Sequence, residues 1–332
     1  MNSIFIEPVF TDLYSKNPLV LVDIGASGGL ASNWKAASKY LKMIGFEPDE
    51  REFVNLMKQN DQRKLYLNTA LYNKPQEINF FMNRKQQTSS VFEPNRSFLD
   101  QFPESDRFDV MKVARMKTDT LDRQFELNHI TQADFIKVDT DGSELFVLQG
   151  ASHVLDRDIL GIEVEVEYAP MHLGQPQFCD VDKFIQSKGF HLFDLKNYFW
   201  KRQNGKTIGK SRGQIIFADA LYFKTMESLD AMMKAISDVS LRKAKVVKMI
   251  SICALYGYLD YANQVFIQFE NLFSPVEKAI VEKWLLKGQG WYARIPNFPG
   301  RRKLSKVFYC MWDVLKSTHN GWATIERELG NR

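Results

Sequence analysis

The sequence predicts an α/β protein: a mostly parallel sheet covered by helices, followed by an all-helical C-terminal extension. Three observations predict it. Residues 19–223 alternate short strand-like runs with helical patterns, as stacked βαβ units do. Residues 19–23 (LVLVD) form a continuous apolar run, as expected of a central strand buried on both faces. Beyond about Thr225 strand patterns vanish and helical ones take over.

In chain order, residues 19–23, 42–46 and 64–68 read as the first three strands, with a helix over 49–59 between the second and third. Residues 78–82 and 113–117 are ambiguous, and 135–138 read as the fourth buried strand. Residues 142–153 read as a helix, because Leu145, Leu148 and Val154 fall near one stripe. Residues 162–167 form a strand, and 181–188 a helix stopped by Gly189. Residues 191–195 and 214–223 are joined by a loop without helical pattern, which predicts an antiparallel pair. Past a boundary near Thr225, residues 229–259, 261–273 and 276–286 read as helices, with a last one from about Leu304. Two domains follow, 1–224 and a basic extension over 225–332.

The composition of the 332 residues, 45% hydrophobic and 25% charged, excludes a disordered or collagen-like chain. The apolar run at 249–259 is about half the ~20 residues a spanning helix needs. Cys179, Cys253 and Cys310 are scattered, and no basic leader precedes an apolar run at the N-terminus, so a cytoplasmic location is expected. The net charge of +4 is unevenly placed: residues 225–332 hold 16 Lys+Arg against 10 Asp+Glu. Nucleic acid is therefore not an expected partner of the whole chain.

Four motifs carry chemistry. Val22-Asp23-Ile24-Gly25-Ala26-Ser27-Gly28-Gly29 closes the first strand; its glycines let the backbone turn tightly and approach a ligand. The dinucleotide fingerprint fails, because Ser27 stands at its second glycine. An acid at Asp23 repels a pyrophosphate but suits the cationic amino-acid end of S-adenosylmethionine. Gly45-Phe46-Glu47-Pro48 closes the second strand, where doubly wound folds place the acid that holds ribose hydroxyls. Pro48 fixes φ before the next helix.

Asp139, in Asp139-Thr140-Asp141-Gly142-Ser143-Glu144, falls at the end of the fourth strand, where such sheets bind ligands. Asp141 and Glu144 suit a helix cap as well as a site. Glu163, Glu165 and Glu167 alternate along a strand and share one face. A covered sheet makes unpaired carboxylates costly there, so either the strand end opens into a polar cleft, the preferred reading, or the acids pair with cations such as Lys137. His172 is the histidine nearest this edge.

With these motifs, and with Thr120-Leu121-Asp122 and residues 134–150, the stretch from about 19 to 223 resembles an FkbM-type methyltransferase. Residues 163–194, with Gly174-Gln175-Pro176, Asp180 and Asp194-Leu195, also resemble members found near surface-glycan genes. The family usually shows Asp-x-Glu-Gly-x-Glu where this chain has Asp141 in the third position, one methylene shorter. The resemblance implies a class I, Rossmann-like sheet of seven strands with one antiparallel, S-adenosyl-L-methionine as cofactor, and methyl transfer to a hydroxyl.

It also implies that Asp23, Gly25, Ala26 and Ser27 border the amino-acid part of the donor, Glu47 and Pro48 the ribose, and Thr69 and Ala70 the adenine. Asp139 lies beside both substrates. The acceptor is expected to be a hydroxyl-bearing small molecule or glycan, with Asp139, Glu165 and His172, in that order, as candidates for its general base. No metal ligands are assigned, although the acid cluster offers a place for a divalent cation. Two rivals stand beside this reading: a nicotinamide-dependent oxidoreductase, which lacks a Tyr-x-x-x-Lys pair here, and a non-catalytic binding module on the same fold. Residues 291–306 interleave Trp291, Tyr292 and Phe298 with Arg294, Arg301, Arg302, Lys303 and Lys306, which fits peripheral contact with an anionic membrane surface as well as a solvated loop.

Overall fold

The structure, a computed structural model, describes residues 7–26, 30, 32–58, 61–205, 208, 212–287, 296–315, 322–325 and 329. Helix α1 (Pro8–Lys16) leads into β1 (Leu19–Ile24), buried at every position. A 3-10 helix, Ser32–Tyr40, delivers the chain to β2 (Leu41–Phe46). Helix α2 (Glu50–Met57) follows, its N-terminus capped by Asp49, which accepts from the Arg51 amide. Then come β3 (Lys64–Leu67), β4 (Ala70–Leu71), β5 (Gln76–Asn83), α3 (Arg96–Leu99), β6 (Val110–Asp119) and α4 (Leu121–Leu127).

Strand β7 (Phe135–Val138) is followed by α5 (Glu144–Gln149) and α6 (Ser152–Arg157), then β8 (Gly161–Glu167), α7 (Phe178–Ser187), β9 (Phe190–Trp200) and β10 (Gln214–Lys224). The expected helix over 142–153 is thus two short ones. They part at Gly150, where a Cβ would collide with the carbonyl of Tyr72.

The main sheet runs β11-β9-β10-β8-β7-β1-β2-β3, where β11 (Ala323–Ile325) comes from the C-terminal extension. Strands β3, β2, β1, β7 and β8 are parallel, and β10 is antiparallel to both β8 and β9. This is the seven-stranded arrangement with one reversed strand, and β11 adds an eighth, antiparallel to β9. Among the described residues these three are the extension's only strand. Strands β4, β6 and β5 form a separate small sheet, which resolves the ambiguous segments as strands of an insertion.

Among the described residues, five α-helices follow β10: α8 (Met226–Ala235), α9 (Val239–Leu255), α10 (Leu259–Gln268), α11 (Pro275–Lys287) and α12 (Arg301–Leu315). The helix expected over 229–259 breaks after Ala235 because Asp238 starts a new one, its side chain accepting from the amides of Ser240 and Leu241. Helices α8 to α11 share one continuous core with the sheet: Val247, Ile250, Tyr256 and Phe266 belong to the same apolar cluster as Leu21, Phe135 and Phe223. The opposite face, with Val22, Ile136, Ile162 and Val164, is covered by α4 to α7.

One buried ionic cluster ties α9 to the sheet. Asp134, fully buried before β7, accepts from the Val20 amide and from Lys248 Nζ on Oδ2 and from Lys245 Nζ on Oδ1, at 2.7–2.8 Å. Burial pushes its carboxyl up, and the two ammonium groups more than offset this, leaving it below the usual range. Among the described residues no helix is long and apolar enough to cross a membrane.

Candidate functional site

The parallel strands end at one edge, and strand order reverses between β1 and β7, the position where open α/β sheets bind ligands. Gly25, Glu47 and Asp139 follow the last residues of β1, β2 and β7 directly. Gly25, with φ 80°, bends the chain here; its amide donates to the Phe46 carbonyl at 3.0 Å, and that of Asp139 to the Ile24 carbonyl at 3.0 Å. The three loops are therefore held together by backbone bonds before any ligand is considered.

A cavity of about 460 Å³ opens above them, within the range of about 300–1,000 Å³ typical of small-molecule sites. Gly25, Glu47, Pro48, Thr69, Ala70 and Asp139 all border it. Ala26 is buried and does not border it, and Ser27 lies outside the described residues. Asp23 sits just beneath, in register with Gly45 and Lys137 on the neighbouring strands. It is buried, and its Oδ1 has no hydrogen-bond partner among the described residues. Burial raises its carboxyl to about 7; Lys137 opposes the shift, and Asp139, Glu163 and Glu47 add to it.

Glu47 is held in place from its backbone. Its amide donates to the Leu67 carbonyl, and Asn68 Nδ2 donates to its carbonyl at 2.9 Å. Oε1 accepts from the Asp49 amide at 2.9 Å, which leaves Oε2 for a ligand. Burial also raises Glu47 to about 7, against the Asp49 hydrogen bond and with the charges of Asp49 and Glu52 adding to it.

The acids beyond Asp139 form a cluster. Lys137 Nζ meets Asp139 Oδ2 at 2.9 Å, and burial combined with the neighbouring acids raises Asp141, Glu165 and Glu167 well above the usual range. Glu144 has a structural duty: it accepts from the Thr140 amide and hydroxyl and from the Gly142 amide at 2.7–2.9 Å, closing the turn that carries Asp141 at φ 53°. Glu163 points toward the extension, where it accepts from Tyr256 Oη at 2.6 Å. Both oxygens of the buried Glu167 lack partners among the described residues.

Neither Glu165 nor His172 borders the cavity. His172 is buried beside Phe108, its Nδ1 2.9 Å from Gln175 Oε1, and its Nε2 has no partner among the described residues. Burial lowers it to about 4, so it is neutral near pH 7.

The reading of the sequence missed one wall. Ile78, Phe80 and Met116 of the small sheet, with Gln86, Gln87 and Ser89 from the connection after β5, line the side of the cavity facing Thr69 and Ala70. Gln86 Nε2 donates to Asp49 Oδ2 at 3.1 Å, fastening this wall to the loop of Glu47. In the sequence the segments 78–82 and 113–117 are ambiguous, and no motif marks them as part of a site.

Strand order and site together define a Rossmann-like fold of the class I S-adenosylmethionine-dependent methyltransferases. Residues 23–192, just over half of the chain, match the model of the methyltransferase FkbM domain, and the chain belongs to that S-adenosylmethionine-dependent family. Among solved structures it is similar to a methyltransferase FkbM from Methylobacillus flagellatus KT, at 16% identity and a TM-score of 0.37, over 62% of this chain and 44% of that one. The chain thus spans less than half the length of that relative. It is also similar to the magnesium protoporphyrin IX methyltransferase of Synechocystis PCC 6803, solved with bound SAM, at 9% identity and a TM-score of 0.32, over 66% and 77% of the two chains. No curated protein matches the sequence at a significant level.

Proposed function

We propose that the protein transfers a methyl group from S-adenosylmethionine to a hydroxyl, on a sugar of a surface glycan or glycoconjugate. The observation that carries the reading is a buried carboxylate, Asp23, whose Oδ1 has no partner among the described residues, placed next to Glu47 on the adjacent strand end beneath one cavity. A cationic amino-acid group satisfies the first, and a ribose diol suits the second. The residues present therefore fit the donor.

When bound, S-adenosylmethionine supplies an electrophilic methyl group. The chain has to hold the acceptor oxygen in line, and good orientation is worth about 7–11 kcal/mol. It also has to take the hydroxyl proton. Asp139 is the one of the three base candidates that borders the cavity. Lys137 occupies its Oδ2, so Oδ1 is the oxygen that accepts the proton. Asp141, Glu165 and Glu167 lie beyond it as carboxyl groups whose raised values favour the protonated form, which both donates and accepts, as the hydroxyls of a sugar do.

The test is methyl-labelled S-adenosylmethionine with a panel of sugars and glycolipid acceptors. Label recovered as a base-stable ether, with kcat lowered about 10²–10⁴-fold in Asp139→Asn, supports the reading. Label recovered as a base-labile ester or on nitrogen overturns the hydroxyl assignment. A larger loss in Glu165→Gln or His172→Gln than in Asp139→Asn moves the base role to that residue.

A further inference from the structure

Helix α12 (Arg301–Leu315) presents large apolar side chains to solvent. Every residue of it whose side chain is described is exposed. Leu304, Val307, Phe308, Met311, Trp312 and Leu315 recur at intervals of three and four, so they share one face. These six are between 48% and 80% exposed, too many large apolar side chains in one stripe to be scattered surface residues. Arg301, Arg302, Lys303 and Lys306 occupy the first two turns, and Asp313 is the helix's only acid.

The cations stand where the helix dipole favours anions, so they do not serve the helix itself. A basic helix with Leu, Phe and Trp on one face has the chemistry of an element that lies in a bilayer interface. With 15 residues the helix is about 22 Å long, enough to lie along a membrane but not to cross one. Six apolar positions over 12 residues also make a wider stripe than the two-per-heptad seam of a paired helix.

We propose that α12 binds the surface of a membrane carrying anionic phospholipids, with its apolar face in the acyl boundary and its basic turns among the headgroups. Of the residues expected to make such a contact, Phe298 and those from Arg301 to Lys306 lie in or next to this element, while Trp291, Tyr292 and Arg294 lie outside the described residues. Further along the chain β11 pairs with β9, and Trp322 meets Trp200 edge-on at 5.7 Å, at the end of β9 on the site's edge of the sheet.

The experiment is sedimentation of the full-length protein with phosphatidylcholine vesicles and with vesicles containing phosphatidylserine, at low and high salt. The expected result is binding to the anionic vesicles only, weakened by salt. Binding should fall on the order of a hundredfold in Arg302→Gln/Lys303→Gln/Lys306→Gln. It should also be lost in Leu304→Ser/Phe308→Ser/Met311→Ser, with the unfolding midpoint of both variants unchanged. Absence of binding at low salt, or equal binding to both vesicles, overturns the proposal. So does a dimer in solution that the serine variant disperses, which would make the face a contact between copies. Donor binding and methyl transfer are not read in this experiment, so its outcome is independent of the proposed activity.

Discussion

Gly25 at the end of β1 lies so close to the carbonyl oxygen of Asp139 at the end of β7 that a Cβ at Gly25 would overlap it. The two loops that frame the cavity thus have a fixed separation, set by the absence of one side chain. The φ of 80° at Gly25 requires the same residue.

Gly25→Ala is accordingly expected to destabilise the fold by about 2–5 kcal/mol, from the left-handed backbone and from the overlap together. Binding of S-adenosylhomocysteine should be lost with it. Urea unfolding and calorimetry check the two effects, and an unchanged midpoint with unchanged affinity would refute the fixed-loop account.

Asp134→Asn tests how the extension is held. The change leaves Lys245 and Lys248 buried without their counter-charge, which typically costs about 3–5 kcal/mol. Because the folded carboxyl lies below its unfolded value, this stabilisation is present above about pH 4 and is lost as pH falls toward the folded value. The wild type should therefore lose stability in acid more steeply than the variant. Parallel acid titrations of the two would contradict this.

Asp23 and Glu47 give a pH dependence of the opposite sign. Both are raised to about 7, so between about pH 4 and 7 the folded chain keeps protons that the unfolded chain has released. Their contribution to stability is complete below about pH 4 and is lost as pH rises through 7. A cationic ligand favours the ionised form of Asp23, so S-adenosylhomocysteine should bind more tightly from about pH 6 to 8 and release protons on binding near 6.5. Titrations in buffers of differing ionisation enthalpy check this, and equal heats with a constant affinity would count against it.

What the sequence made legible follows burial. Strands β1, β2 and β7 lie inside the sheet, where apolar runs and the acids that end them are dictated by the fold, so Asp23, Glu47 and Asp139 are legible in the sequence. Strands β5 and β6 were harder to read because their sheet is partly solvated. Val110, Met111 and Val113 face water, which blurs the alternation. Strand β11 has three residues, too few for any period to show. The break before Asp238 is written as an N-cap, a signal outweighed by the long apolar pattern around it. Glu144 illustrates a different limit: cap, turn clamp and site acid share one spelling, and the three donors on its carboxylate decide among them.

The proposed donor site is built on Asp23 and Glu47. Its most direct test is calorimetric titration of S-adenosylhomocysteine into the wild type and into Glu47→Ala. Micromolar binding to the wild type is expected, lost in the variant while its fold is retained. Absence of binding to well-folded wild type, or equal binding to both proteins, would contradict it.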